Sequence, residues 1–220
     1  MSENSGQKDL PPGLWAGQAL HAICLAVLLI LLWRCWFLLG QRLPFFFWAA
    51  AAMPVLHQVY VWLTWRLELN SSAVSKAMGF QAYLIGFFGL FGARFVLLVG
   101  LAWMDYGSLG LGPSVQVLLT VICGLPGLYA MYSVRRYFGM ARAAGADHFD
   151  ASYRSMPLVK QGIFKFTDNG MYFYAFLLFW AIAFGFNSAA AVAVAAFSHA
   201  YIWVHYYATE KIDMAYLYRQ

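Results

Sequence analysis

The chain has 220 residues, 63% of them hydrophobic and only 10% charged, with a net charge of +5. A soluble domain carries about 25% charged residues, so this composition excludes a water-soluble globular protein. The positive excess forms no run dense enough for nucleic acid; in a membrane protein it gathers in cytoplasmic loops and favours anionic headgroups.

Apolar runs near the ~20 residues that a helix needs to cross a bilayer recur along the chain. They are continuous rather than short and alternating, which excludes a β-barrel. The predicted fold is all-α, a polytopic helical membrane protein with about six membrane segments. Residues 1–13, polar and carrying Pro11 and Pro12, lack the basic start and cleavage site of a signal peptide and read as a disordered tail. Residues 14–220 read as one membrane domain. Cys24, Cys35 and Cys123 follow no disulfide or zinc spacing, and no metal site is expected.

The first span is expected over 14–39, with Arg34 snorkelling at its far end. A tight turn at 40–43 leads to a second span over 44–65 that contains Pro54 and ends in the aromatic, then charged, HQVYVWLTWRLEL. After a polar turn at 70–77, the third span covers 78–104. Its Gly86, Gly89 and Gly92 permit close helix approach, and Arg94 stands mid-span, where a charge is costly and often functional. The fourth span covers 113–134 and contains CGLPGLYAMYS. Residues 135–169 form the one long polar segment, with six Arg and Lys against three Asp. A helical hairpin turning at Gly185, Phe186 and Asn187 follows. Its first arm, 171–184, gives only ~21 Å of helix against a hydrocarbon core of ~30 Å. The charge bias puts the 135–169 loop and both termini in the cytoplasm; Arg42, in an outer turn, violates it.

Three blocks carry polar chemistry: Tyr60, Arg66 and Glu68; Gly124-Leu125-Pro126-Gly127 with Gly145-Ala146-Asp147-His148-Phe149; and Thr167-Asp168-Asn169-Gly170-Met171-Tyr172 with Glu210 and the end Tyr218-Arg219-Gln220. In order and spacing these blocks resemble the phospholipid N-methyltransferases, and more widely the isoprenylcysteine carboxyl methyltransferases. Those families carry a basic residue leading a Gly-hydrophobic-aromatic stretch, an Asn-Pro-Met-Tyr motif, a helical hairpin and a Glu-Glu pair. Here the counterparts are Lys160-Gln161-Gly162-Ile163-Phe164, Asn169-Gly170-Met171-Tyr172, the hairpin, and Glu210-Lys211. The likeness covers roughly 60–220. Gly170 stands in place of proline, Lys211 in place of the second glutamate, and the glycine pair is one residue wider than Gly-x-Gly.

The resemblance implies an S-adenosylmethionine site, mainly within 124–220, formed by Gly124, Gly127, Gly162, Asn169, Tyr172 and Glu210. It implies a lipid-like methyl acceptor, foremost the amine of phosphatidylethanolamine or a methylated derivative, its headgroup held by Tyr60, Arg66, Glu68, Tyr218 and Arg219. Asp147 and His148 are the candidates for taking the amine's proton. A thiol or a prenylcysteine-type carboxylate is the alternative acceptor. A transporter or non-catalytic scaffold is the alternative of another class, although the internal repeats common in transporters are not evident. His199 and His205 fall on different helix faces and read as structural. The geometric expectation is that the hairpin brings Asn169 and Glu210 into one pocket.

Overall fold

The computed structural model describes residues 10–218, which contain helices and no strand. The principal elements are α1 (Gln18–Leu38), α2 (Pro44–Ser71), α3 (Ala73–Ala77), α4 (Gly79–Met104), α5 (Pro113–Ser133), α6 (Met140–Ala143), α7 (Ala146–Phe149), α8 (Leu177–Gly185), α9 (Ala189–His205) and α10 (Lys211–Leu217). Single π-helical turns extend α5 over Val134–Phe138, lead into α8 over Met171–Ala175, and join α9 to α10 over Tyr206–Glu210. Five stretches are long and apolar enough to cross a membrane: Gln18–Leu38, Pro44–Ser71, Gly79–Met104, Pro113–Phe138 and Ala189–Leu217. Met171–Gly185 is a shorter apolar helix. The chain is an all-α polytopic membrane protein.

The second arm of the hairpin is the hub. Half of the apolar window of 189–217 is buried, against 11% of that in α1. Its sequence explains this: Ala190, Ala191, Val194 and Ala195 are buried, and small side chains let α1, α2, α4 and α8 approach α9 closely. Helix α5 packs on α8, and α4 on α2. Ile23, Val27 and Ile30 of α1, and Val117, Val121 and Leu125 of α5, point outward, as helices facing lipid must.

The end of the bundle away from the 135–169 segment is tied by polar groups. Asp105 accepts from Ser188 Oγ at 2.8 Å and from the Ala190 amide at 3.0 Å. The Asn187 side chain brackets Leu111, each bond 3.0 Å, while its own backbone takes φ 53°, a conformation asparagine tolerates. Arg42, the exception to the charge bias, lies 3.8 Å from Asp105.

Several boundaries differ from expectation. Helix α2 runs to Ser71 rather than ending near 65, and α3 occupies much of the expected 70–77 turn. Glu68 is the reason: it accepts from the amide and hydroxyl of Ser75 at 2.9 and 2.7 Å, fastening α3 to α2. Of the expected tail 1–13, residues 1–9 lie outside the described residues. Pro12 and Gly13 are not loose: their carbonyls accept from Asn70 Nδ2 and Arg66 Nη1. The 135–169 segment is folded into short helices, and α7 lies against α2.

Candidate active site

Where α2, α7 and α10 meet, Arg66 is fully buried. Its Nε lies 2.8 Å from Asp213 Oδ1, and its Nη1 and Nη2 donate to the carbonyls of Gly13 and Ala16. The other Asp213 oxygen is 3.4 Å from His148 Nε2. His148 Nδ1 is 3.0 Å from Asp147 Oδ1, and Tyr218 donates its hydroxyl to Asp147 Oδ2 at 2.8 Å. The His148 ring stacks on Trp65 with centroids 4.0 Å apart. Gly145 makes this possible. Its φ is +83°, and Trp65 fills the space a Cβ would take, so a side chain there is excluded twice over.

Burial is the largest influence on both members of the Asp147–His148 pair, and it opposes charge on each. It is outweighed. The hydrogen bonds from His148 and Tyr218 hold the Asp147 carboxyl below its usual range. The bonds to Asp147 and Asp213 raise the His148 imidazole above its usual range.

Above this network lies a cavity with about 720 Å³ of unfilled space, part of it open to the surface. Tyr172, Trp65, His205, His57 and Arg94 are among the residues that line it. Phe88, Met131 and Met171 contribute to apolar walls. Tyr172 donates its hydroxyl to Glu210 across 38 residues, so the acid after the hairpin is tied to a cavity-lining side chain before it. Both ring nitrogens of His205 are buried without a hydrogen-bond partner.

The expected site residues divide. Tyr172 and Glu210 are together. Asn169 stands one turn earlier, its carbonyl accepting from the amides of Tyr172 and Phe173; the tyrosine, rather than the amide side chain, makes the link to Glu210. Gly162 takes φ +60° against Ser133, and the following amide of Ile163 donates to Ser133 Oγ at 3.0 Å, which docks the loop on α5. Gly124 and Gly127 face α8: a Cβ at 127 would lie 2.8 Å from Leu178, one at 124 3.7 Å from Ala181. Neither is among the residues that line the cavity.

Asp147 and His148, expected in an open loop, are buried and engaged with partners, and neither lines the cavity. Arg66 pairs with Asp213 rather than with Glu68, which is committed to Ser75. Tyr60 donates to the carbonyl of Tyr83 at 3.0 Å and stacks on that ring. Tyr218 holds Asp147. Together these contacts give Tyr60, Arg66, Glu68 and Tyr218 internal partners. Arg219 lies outside the described residues. His199 has the structural role expected of it, accepting from Trp180 Nε1 at 3.1 Å. His205 does not. Asp213, His57 and His205 were missed because a lone polar residue in an apolar helix usually has an internal partner, and spacing does not name it.

Residues 115–220 match the family model described as phospholipid methyltransferase. Searches of curated proteins and of solved structures found no match. The matched segment runs from α5 through Tyr172 and the hairpin to Glu210 and α10, the half of the cavity built after residue 113. By that segment, just under half of the chain, the protein is similar to the phospholipid methyltransferase family, a likeness that supports a membrane methyltransferase.

Proposed function

We propose that this protein transfers a methyl group from S-adenosylmethionine to a lipid-like acceptor, foremost the amine of phosphatidylethanolamine or a methylated derivative. The observation that carries this reading is the Tyr172–Glu210 contact at the wall of a cavity built partly by the phospholipid methyltransferase segment. By the charge bias, the 135–169 segment and both termini face the cytoplasm, so the cofactor arrives from that side and the acceptor from the bilayer.

The residues present suit the cofactor. Glu210 offers carboxylate oxygens to a ribose hydroxyl or an ammonium group. Aromatic faces such as Trp65 and Phe88 favour a sulfonium cation. When bound, the cofactor supplies an electrophilic methyl group. The protein's part is to hold the acceptor in line with that methyl and away from water, which is catalysis by proximity. An ammonium acceptor must lose a proton before it can attack. His205 lines the cavity with both ring nitrogens unpartnered and can accept a hydrogen bond from the amine. Burial in an apolar cavity also favours the neutral amine.

The test incubates purified protein with methyl-labelled S-adenosylmethionine and a native lipid extract. Label in phosphatidylethanolamine-derived lipids is the expected result. Label only in thiol or carboxylate products overturns the acceptor assignment. A protein that binds no S-adenosylmethionine is no methyltransferase of this kind and returns the field to a transporter or scaffold.

A further inference from the structure

One part of the cavity holds donors without acceptors. Arg94, midway along α4, is 3% exposed and lines the cavity. Among the described residues no carboxylate lies within ion-pair reach of it: the ion pairs found join other residues. Among the described residues its one hydrogen-bond partner is His57 on α2, with Nη1 3.3 Å from His57 Nδ1. An arginine can only donate, so Nδ1 is the accepting nitrogen and the neutral ring carries its proton on Nε2. Nε2 is buried without a partner, and so are Arg94 Nε and Nη2.

Aromatic rings do not fill this need. Phe176 and Phe179 lie over the guanidinium carbon at 5.2 Å each, and such stacking occupies the faces of the group. The N–H bonds lie in its plane, and those of Nε and Nη2 remain unmet. A buried cation with free donors, joined by a third donor from His57, is a receptor for a group rich in lone pairs and negative charge. It is an arrangement of side chains from two helices that precede the family-matched segment, α2 and α4.

We propose that Arg94 and His57 form an oxyanion site in the cavity, taking the carboxylate or phosphate of the molecule bound there. The inference rests on the reading of this cavity as the ligand site. Two sources share the chemistry: the amino-acid carboxylate of the cofactor and the phosphate of a phospholipid acceptor. Arg94 fixes the depth to which the anionic end reaches. The geometry thereby sets how far the reacting atoms lie from Tyr172 and His205, which also line the cavity.

The experiment uses the full chain in detergent and two ligand pairs, each matched for shape and differing in the oxyanion. The first pair is S-adenosylmethionine and its decarboxylated form. The second is lysophosphatidylethanolamine and a single-chain alkylamine without phosphate. Affinities are measured for the wild type, Arg94→Gln, Arg94→Lys and His57→Phe. The expected result is a loss of about tenfold or more for the oxyanion-bearing member of one pair in Arg94→Gln, with its oxyanion-free partner unaffected. A smaller loss for the same ligand is expected in Arg94→Lys and His57→Phe. A loss confined to S-adenosylmethionine identifies the cofactor carboxylate; a loss confined to the lysolipid identifies the acceptor phosphate. Variants that bind all four ligands as the wild type does, or that weaken each pair equally, overturn the proposal. If Arg94→Gln does not fold, the wild type still decides: equal affinity within both pairs also overturns it. A wild type that binds neither form of the cofactor refutes the methyltransferase reading instead, and the lipid pair alone then judges the oxyanion site.

Discussion

Arg66 and Asp213 meet at 2.8 Å with both side chains fully buried. One belongs to α2, ahead of the family-matched segment, and the other to α10 near its end. Asp213 also reaches His148, and the Arg66 fork holds the backbone of Gly13 and Ala16. The pair therefore joins the first helices, the folded 135–169 segment and the C-terminal helix at one point.

Removing one partner leaves a buried charge without its counter-charge. Arg66→Met and Asp213→Leu are each expected to lower stability by about 3–5 kcal/mol. The double variant is expected to lose much less than the sum, because neither charge is then left alone. Denaturant unfolding in detergent measures the cycle; additive losses would show that the ion pair is energetically idle.

Stability should depend on pH through Asp147 and His148. The imidazole is raised in the folded protein, so its contribution is complete below the ordinary histidine value of 6.5 and is lost as pH rises through the folded value above it. The carboxyl is lowered, so its contribution is complete above the ordinary 3.8 and is lost as pH falls through the folded value below it. The pair therefore stabilises most between these two ordinary values. In His148→Phe the fall in melting temperature on the alkaline side should disappear. An unchanged alkaline limb assigns that limb to other groups.

The two glycines of α5 should respond differently. Gly127→Val forces a side chain into Leu178, and overpacking of this kind costs about 1–3 kcal/mol. Gly124→Ala places a methyl at ordinary contact distance from Ala181 and should be nearly neutral. Neither is expected to alter cofactor affinity of the folded protein. A cofactor defect in Gly124→Ala at full stability would return that glycine to the site.

Glu210 and Tyr172 should separate binding from folding. Glu210→Ala is expected to abolish S-adenosylmethionine binding while leaving the helical content and melting temperature close to wild type. Tyr172→Phe removes the hydroxyl that restrains Glu210 and should weaken binding by about tenfold. Equilibrium binding of labelled cofactor checks both, and full affinity in Glu210→Ala would exclude the acid from the site.

How much of this was legible in residue order differs by element. Each of α1, α4 and α5 could be bounded to within a few residues, because a bilayer demands a continuous apolar run with every backbone group satisfied inside the helix. The hairpin was legible too: a Gly-Phe-Asn break between two apolar runs leaves antiparallel return as the short connection. From that return the meeting of the 169–172 stretch with Glu210 follows, though not that Tyr172 would make the contact.

What a polar residue inside the bundle touches was decided by tertiary structure alone. Glu68 is two residues from Arg66, yet it serves Ser75 while Arg66 turns to an acid far along the chain. Gly124 and Gly127 show that something approaches closely; only the packing shows that α8 does so. Asp147 and His148 sit in a segment polar enough to pass for solvent-facing loop, but the fold lays it on α2 and buries both. The physical reason is the same in each case. Membrane insertion depends on the summed hydrophobicity of a local run, which sequence displays, whereas the pairing of buried charges depends on which helices lie side by side, which the order of residues along one helix does not encode.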